Sequence, residues 1–93
     1  MSDLEISKVL TISTGHITRR TAELMDAKEI NLPVHYQWGE YGWIFWTGRE
    51  HYEFDETPDD LLLCIMFAKD KGCRYLLLDR DGEGIDELPF YEW

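Results

Sequence analysis

The chain has 93 residues, of which 44% are hydrophobic, and a formal net charge of −10. This length fits one domain, residues 1–93, with a single modest core. The excess of acid argues against direct binding to nucleic acid and to an anionic membrane, because both need a basic surface. The longest apolar run, 61–68, is far shorter than the roughly 20 residues of a membrane span.

Two further features of composition indicate a cytoplasmic protein. The N-terminus is polar and acidic, so we expect no signal peptide. Cys64 and Cys73 are too few for a disulfide framework and are typical of small core residues in a reducing compartment.

The first half of the chain predicts a strand, a helix and a hairpin. Residues 4–12 carry apolar side chains with imperfect alternation, which indicates a first strand. Helical spacing of apolar residues follows over about 18–28, with Thr18 or Thr14 as the cap. Residues 34–38 alternate with Trp38 on the core side, and a four-residue connection leads to a second strand over 43–47.

The second half predicts a short strand, a helix, a buried strand and an irregular tail. The short strand covers 51–54. The helix over 57–71 is expected to begin at a capping Thr57 and to end at a left-handed Gly72. A strand over 75–79 follows, and Pro89 makes the tail an edge strand or a packed irregular segment.

These elements predict an α+β fold: an antiparallel sheet of four to five strands with two helices, in the ferredoxin-like order β-α-β-β-α-β. The continuously apolar run 75–78 does not suit a sheet with helices on only one face. Either the aromatic tail covers the second face, or a second copy does. The chain is therefore expected to be a monomer or a homodimer.

Acidic residues concentrate in the second half. Residues 1–49 have a net charge of −1, and residues 50–93 have a net charge of −9. Carboxylates held close together on a small rigid domain can imitate the charge spacing of DNA phosphates. The competing interpretation is a solvated acidic surface. The candidate partner-binding residues are Glu50, Glu53, Asp55, Glu56, Asp59, Asp60, Asp79, Asp81, Glu83, Asp86 and Glu87.

No metal site, cofactor or catalytic signature is predicted. The three histidines are too scattered for a zinc site, and the glycine of the turn 79–83 comes too early for an EF-hand loop. The aromatic residues of 36–46 lack the basic groove of a base-stacking platform, although Tyr41 at the hairpin tip is expected to be exposed.

One turn offers an enzymatic alternative. In Ser13-Thr14-Gly15-His16, the histidine follows a strand and has hydroxyl side chains beside it, so a small enzyme could use His16 with Ser13 or Thr14. A helix cap and turn is the favoured interpretation of the same residues. A further alternative is a regulatory or structural protein that dimerises through an open sheet face.

Two segments carry a resemblance: Ile12-Ser13-Thr14-Gly15-His16-Ile17-Thr18, and Leu78-Asp79-Arg80-Asp81-Gly82 with Leu88-Pro89-Phe90-Tyr91-Glu92-Trp93. Together they resemble an uncharacterised family of small acidic bacterial proteins from plasmids, phages and integrative elements. The chain is similar in size and acidity to anti-CRISPR proteins, several of which look like DNA mimics. The resemblance implies no catalytic residues. It implies a non-enzymatic inhibitor whose acidic surface occupies the basic DNA-binding surface of a CRISPR effector complex.

Overall fold

The computed structural model describes residues 4–27, 35–39, 42–48 and 57–91. The helices and strands in these ranges are β1 (Val9–Ser13), α1 (Arg19–Ala27), β2 (His35–Trp38), β3 (Gly42–Trp46), α2 (Asp59–Asp70) and β4 (Tyr75–Asp79). A single 3-10 turn (Thr14–His16) lies between β1 and α1. The short strand predicted over 51–54 lies outside the described residues.

Within the described ranges, four strands form one sheet in the order β1-β4-β3-β2. Two helices and this four-stranded sheet confirm the α+β class and agree with the predicted four to five strands. The prediction of an antiparallel sheet was wrong at one pair: β4 is antiparallel to β3 but parallel to β1. Alternation tells which face of a strand is buried but not the direction of its neighbour. The apolar run of β4 was the relevant signal, because it is typical of parallel pairing.

Both helices pack on the same face of the sheet. The pairing register aligns Leu10, Leu76 and Phe45 in one row and Ile12, Leu78 and Trp43 in the next. Against these rows lie the buried helix residues Ala22, Met25, Leu61, Cys64, Ile65 and Ala68. Full burial of the leucine, isoleucine and methionine side chains stabilises the fold by about 1.5–3 kcal/mol each.

At the centre of the sheet, the face away from the helices is also buried within a single chain. Leu77 lies between Thr11 and Ile44 in the register and is only 8% exposed. A second copy is therefore not needed to bury it. Leu88 of the tail joins the helix-side core that contains Leu78.

The helix ends agree with the sequence at two positions and differ at one. Thr18 caps α1, its Oγ1 accepting from the Thr21 N–H at 3.2 Å, and Gly72 ends α2 with a φ of 78°. Thr57 does not cap α2. The helix starts two residues later, so Pro58 occupies the cap position, and Thr57 Oγ1 is buried with no hydrogen-bond partner among the described residues.

Trp38 also differs from its predicted core position. It is 48% exposed, because it ends the edge strand β2 at the hairpin. An edge strand has a neighbour on one side only, so its last residue is poorly covered.

We predict that Gly42→Ala destabilises the fold by about 2–3 kcal/mol, the usual cost of overpacking. A Cβ at Gly42 would overlap the Leu78 carbonyl oxygen in the β3–β4 ladder. Urea denaturation would measure the loss. Gly39→Asn is the control: it has open space and a φ of 57°, which asparagine tolerates, so a change within about 0.5 kcal/mol is expected. Equal effects of the two substitutions would contradict the packing assigned to Gly42.

Candidate partner-binding surface

The topology brings several chain ends to one end of the molecule, which we call the acidic end. Because β1 and β4 are parallel, both finish there, and the antiparallel β3 begins there at Gly42. Helix α2 precedes β4 and runs the opposite way, so it begins at the same end. The start of α1 is fixed there by a hydrogen bond from the Thr18 N–H to Asp60.

Seven of the eleven predicted partner-binding residues lie on segments at the acidic end: Asp59, Asp60, Asp79, Asp81, Glu83, Asp86 and Glu87. Five of these are exposed, while Asp60 and Asp79 are half-buried. Backbone bonds fix the loop after β4 against β1: the Ser13 N–H donates to the Glu83 carbonyl at 3.0 Å. The other four residues, Glu50, Glu53, Asp55 and Glu56, lie outside the described residues.

Cations of the described ranges divide between the two ends. Lys8, Lys69, Lys71 and Arg74 lie at the opposite end, around the start of β4 and the end of α2. There the Arg74 guanidinium lies 3.6 Å from the Glu5 carboxylate. Three arginines, at 19, 20 and 80, lie at the acidic end, and the first of them pairs with Glu23 at 3.5 Å. The described part of the acidic end therefore keeps more carboxylates than cations.

Asp60 has a structural role that sequence reasoning missed. Its Oδ2 accepts from the Thr18 N–H at 2.6 Å, and its Oδ1 accepts from the Thr21 hydroxyl at 2.8 Å. The carboxylate thus lies in the first turn of α2 while it satisfies donors in the first turn of α1. The sequence showed only an acid near a helix start, and nothing in it indicated a partner 42 residues away.

Asp79 orders the acidic turn that follows β4. Its Oδ1 accepts from the Asp81 N–H at 3.0 Å, and its carbonyl accepts from the Gly82 N–H at 2.9 Å. This is an aspartate turn of the ordinary kind, in agreement with the turn predicted here. Among the described residues, no three His, Cys, Asp or Glu side chains are grouped to hold a metal ion.

His16 binds the tail to the turn after β1 through hydrogen bonds of its ring. The ring is 1% exposed; its Nε2 accepts from the Ile85 N–H at 3.0 Å, so Nδ1 carries the proton and donates to the Pro89 carbonyl at 2.8 Å. Ser13 Oγ accepts from the Gly15 N–H at 2.9 Å, which caps the 3-10 turn. With both ring nitrogens bonded to backbone, this geometry favours the turn interpretation over a proton-transfer site.

Cys64 lies in the core beside this turn. The side chain is 1% exposed, and its Sγ lies 3.6 Å from the His16 carbonyl oxygen. Burial, together with the negative charge of Asp60, raises the pKa of the Cys64 thiol to about 12. The thiol therefore stays protonated at neutral pH and is a packing group there rather than a nucleophile.

Fold and surface together define a small two-layer α+β domain in which the described carboxylates outnumber the described cations at one end. Residues 9–93 match the model of a family of unknown function, the DUF5983 C-terminal domain. Because the match spans most of the chain, the protein belongs to this family. No curated protein and no solved structure matches the chain. Neither described helix is long and apolar enough to cross a membrane.

The stabilising effect of the Asp60 contacts can be tested with a matched pair of substitutions. We predict that Asp60→Asn lowers the free energy of unfolding by about 1–3 kcal/mol, because it removes the charge and replaces one of the two accepting oxygens with an NH2 donor. Asp59→Asn removes the same charge from the same helical turn and should cost less than about 1 kcal/mol. Urea denaturation of both variants gives the comparison. Equal losses would show that the Asp60 contacts do not stabilise the helix junction.

The Cys64 thiol generates a pH prediction. Folding favours its protonated form, so its stabilising contribution is complete below pH 9 and is lost as the pH rises through 9 toward 12. Over this range the free energy of unfolding should fall by up to about 1.4 kcal/mol per pH unit more in the parent than in Cys64→Ala. Denaturation at pH 8, 9, 10 and 11 would measure both slopes, with Cys73→Ala as the control expected to follow the parent. Parallel curves for the parent and Cys64→Ala would refute the assignment.

Proposed function

We propose that this protein is a non-enzymatic inhibitor of a bacterial defence system, an anti-CRISPR protein of mobile genetic elements. Its acidic end would bind the basic DNA-binding surface of a CRISPR effector complex in the place of target DNA. The observation that carries the proposal is the convergence of carboxylates from α2, β4 and the tail on one end of a small folded domain.

The charge arrangement supports an electrostatic mechanism. Carboxylates on separate, mutually bonded segments keep fixed spacings, as phosphates do along a DNA backbone. Most of the described lysines and arginines that are not in α1 lie at the opposite end, where they do not oppose this field. A positively charged DNA channel would attract the acidic end at long range and would release the same counterions that DNA releases.

The residues 50–56 belong to the same proposal on sequence grounds. They directly precede α2, whose first turn lies at the acidic end. Glu50, Glu53, Asp55 and Glu56 therefore enter the proposed surface as predicted members, and neutralising them together should weaken inhibition without unfolding the domain.

The first experiment asks whether the protein inhibits at all. It would be expressed in a panel of bacterial strains that each restrict a phage through one CRISPR effector type. Restored plaque formation in at least one strain is expected, and isogenic strains without the matching spacer provide the control. A well-folded protein that restores plaques in none of the strains would refute the proposal.

The second experiment tests the acidic end with two variants of equal charge. The first combines Asp81→Asn, Glu83→Gln and Asp86→Asn at the acidic end. The second combines Glu5→Gln, Asp26→Asn and Asp70→Asn, which are exposed positions elsewhere. Both lose three negative charges through two asparagines and one glutamine.

We predict that the acidic-end variant inhibits target-DNA binding at least tenfold less than the parent, because it lacks the charges that face the partner. The control variant should stay within about threefold of the parent, an effect of net charge alone. Mobility-shift titration with the purified effector complex gives both values, after circular dichroism has verified folding. Equal inhibition by the two variants would mean that the location of the charges is irrelevant.

A further inference from the structure

Phe90 lies in a narrow slot made by two glycines and a histidine ring. A Cβ built on Gly15 would lie 2.5 Å from Phe90 Cε2, and one built on Gly84 would lie 3.1 Å from the same atom. The His16 ring meets the Phe90 ring edge-on, with 5.4 Å between centroids and an interplanar angle of 90°. One edge of the phenyl ring is thus enclosed by backbone that has no side chain to displace it.

The backbone on both sides of Phe90 is also fixed. The preceding Pro89 carbonyl accepts from His16 Nδ1 at 2.8 Å. The following Tyr91 N–H donates to the Gly15 carbonyl at 2.7 Å. Two hydrogen bonds therefore fix the backbone on either side of Phe90, and the slot receives one edge of its ring.

In this pose the side chain is 55% exposed. The ring atoms that face the glycines are Cδ2, Cε2 and Cζ. The tail does not need Phe90 as its core anchor, because Leu88 is 8% exposed within the main core. An aromatic residue that is held in place with half its surface in water contributes little to the stability of the fold. It has the properties of an interface anchor, since its ordering cost is met before binding.

The surroundings indicate the chemistry of the partner. Phe90 lies at the acidic end, on the same tail as the exposed carboxylates of Asp86 and Glu87, and the loop that carries Glu83 packs on the same turn. An apolar group bordered by anions fits a protein surface with an apolar depression among lysines and arginines.

We propose that Phe90 is the apolar anchor of the acidic end and inserts into such a depression on the basic partner. The inference rests on the proposed function and refines it: carboxylates steer the encounter and set its salt dependence, and Phe90 slows dissociation. DNA has no equivalent of this contact, so the acidic end would bind the effector as a protein partner as well as a mimic of charge.

The test measures binding to the purified effector complex that the plaque assay identifies. Phe90→Ala is expected to raise the Kd at least tenfold, mainly through faster dissociation, while the slope of log Kd against log salt stays that of the parent. The acidic-end variant with three neutralised carboxylates should lower that slope. Leu63→Ala, an exposed apolar position on α2, is the control and should leave the Kd unchanged.

Amide hydrogen exchange at Ile85 and Tyr91 would verify that the tail of Phe90→Ala stays in place. If the tail of Phe90→Ala is released, Phe90→Leu is tested instead, since leucine keeps an apolar group in the slot but lacks the aromatic ring. The same tenfold rise in Kd is expected. If a variant whose tail stays in place binds the effector as tightly as the parent, the anchor role of Phe90 is wrong, while the proposed function still stands. Failure of the parent itself to bind an effector would instead refute the proposed function.

Discussion

The parallel pairing of β1 with β4 is the constraint on which the rest of the structure depends. Because both strands finish at the same edge, the 3-10 turn after β1 and the acidic turn after β4 become neighbours. The same pairing positions the His16 side chain where it fastens the tail, and α2 then begins beside α1 through Asp60. An antiparallel pair would have sent these segments to opposite edges of the sheet.

This arrangement gives the domain an electrical polarity that its net charge does not reveal. Carboxylates from three separate parts of the chain gather at one end, and four cations of the described ranges lie at the other. Backbone hydrogen bonds also link the turn, the tail and the strand β1 at the acidic end. A fixed array of charges has a higher field and a lower ordering cost on binding than the same charges on mobile loops.

Local patterns predicted the elements well and their assembly less well. The Thr18 cap, the left-handed Gly72 and the apolar run of β4 are signals of short range, and each was read correctly as to position. The direction of β4 relative to β1 was not, because strand alternation carries no information on a neighbour 66 residues away in register. Thr57 was assigned as a cap because threonine before proline is typical of a helix start, yet α2 begins at Asp59.

For the candidate site, too, the sequence predicted local features but not the contacts between distant residues. The sequence indicated an acidic second half, but it gave no means of separating Asp60, which bonds to α1, from Asp59, which faces solvent. His16 was noticed for possible chemistry, and its contacts with Ile85 and Pro89 arise only from the fold. Phe90 was one of several aromatic residues in the tail, and only the two glycines that enclose it in space distinguish it.

If the acidic end and target DNA occupy the same surface of the effector, they compete for it. Titration of the purified effector with this protein at increasing concentrations of target DNA, at low and at high salt, measures that competition. The apparent Kd should rise in proportion to the DNA concentration and should also rise steeply with salt. A ternary complex of effector, DNA and this protein, formed with an unchanged Kd, would contradict it.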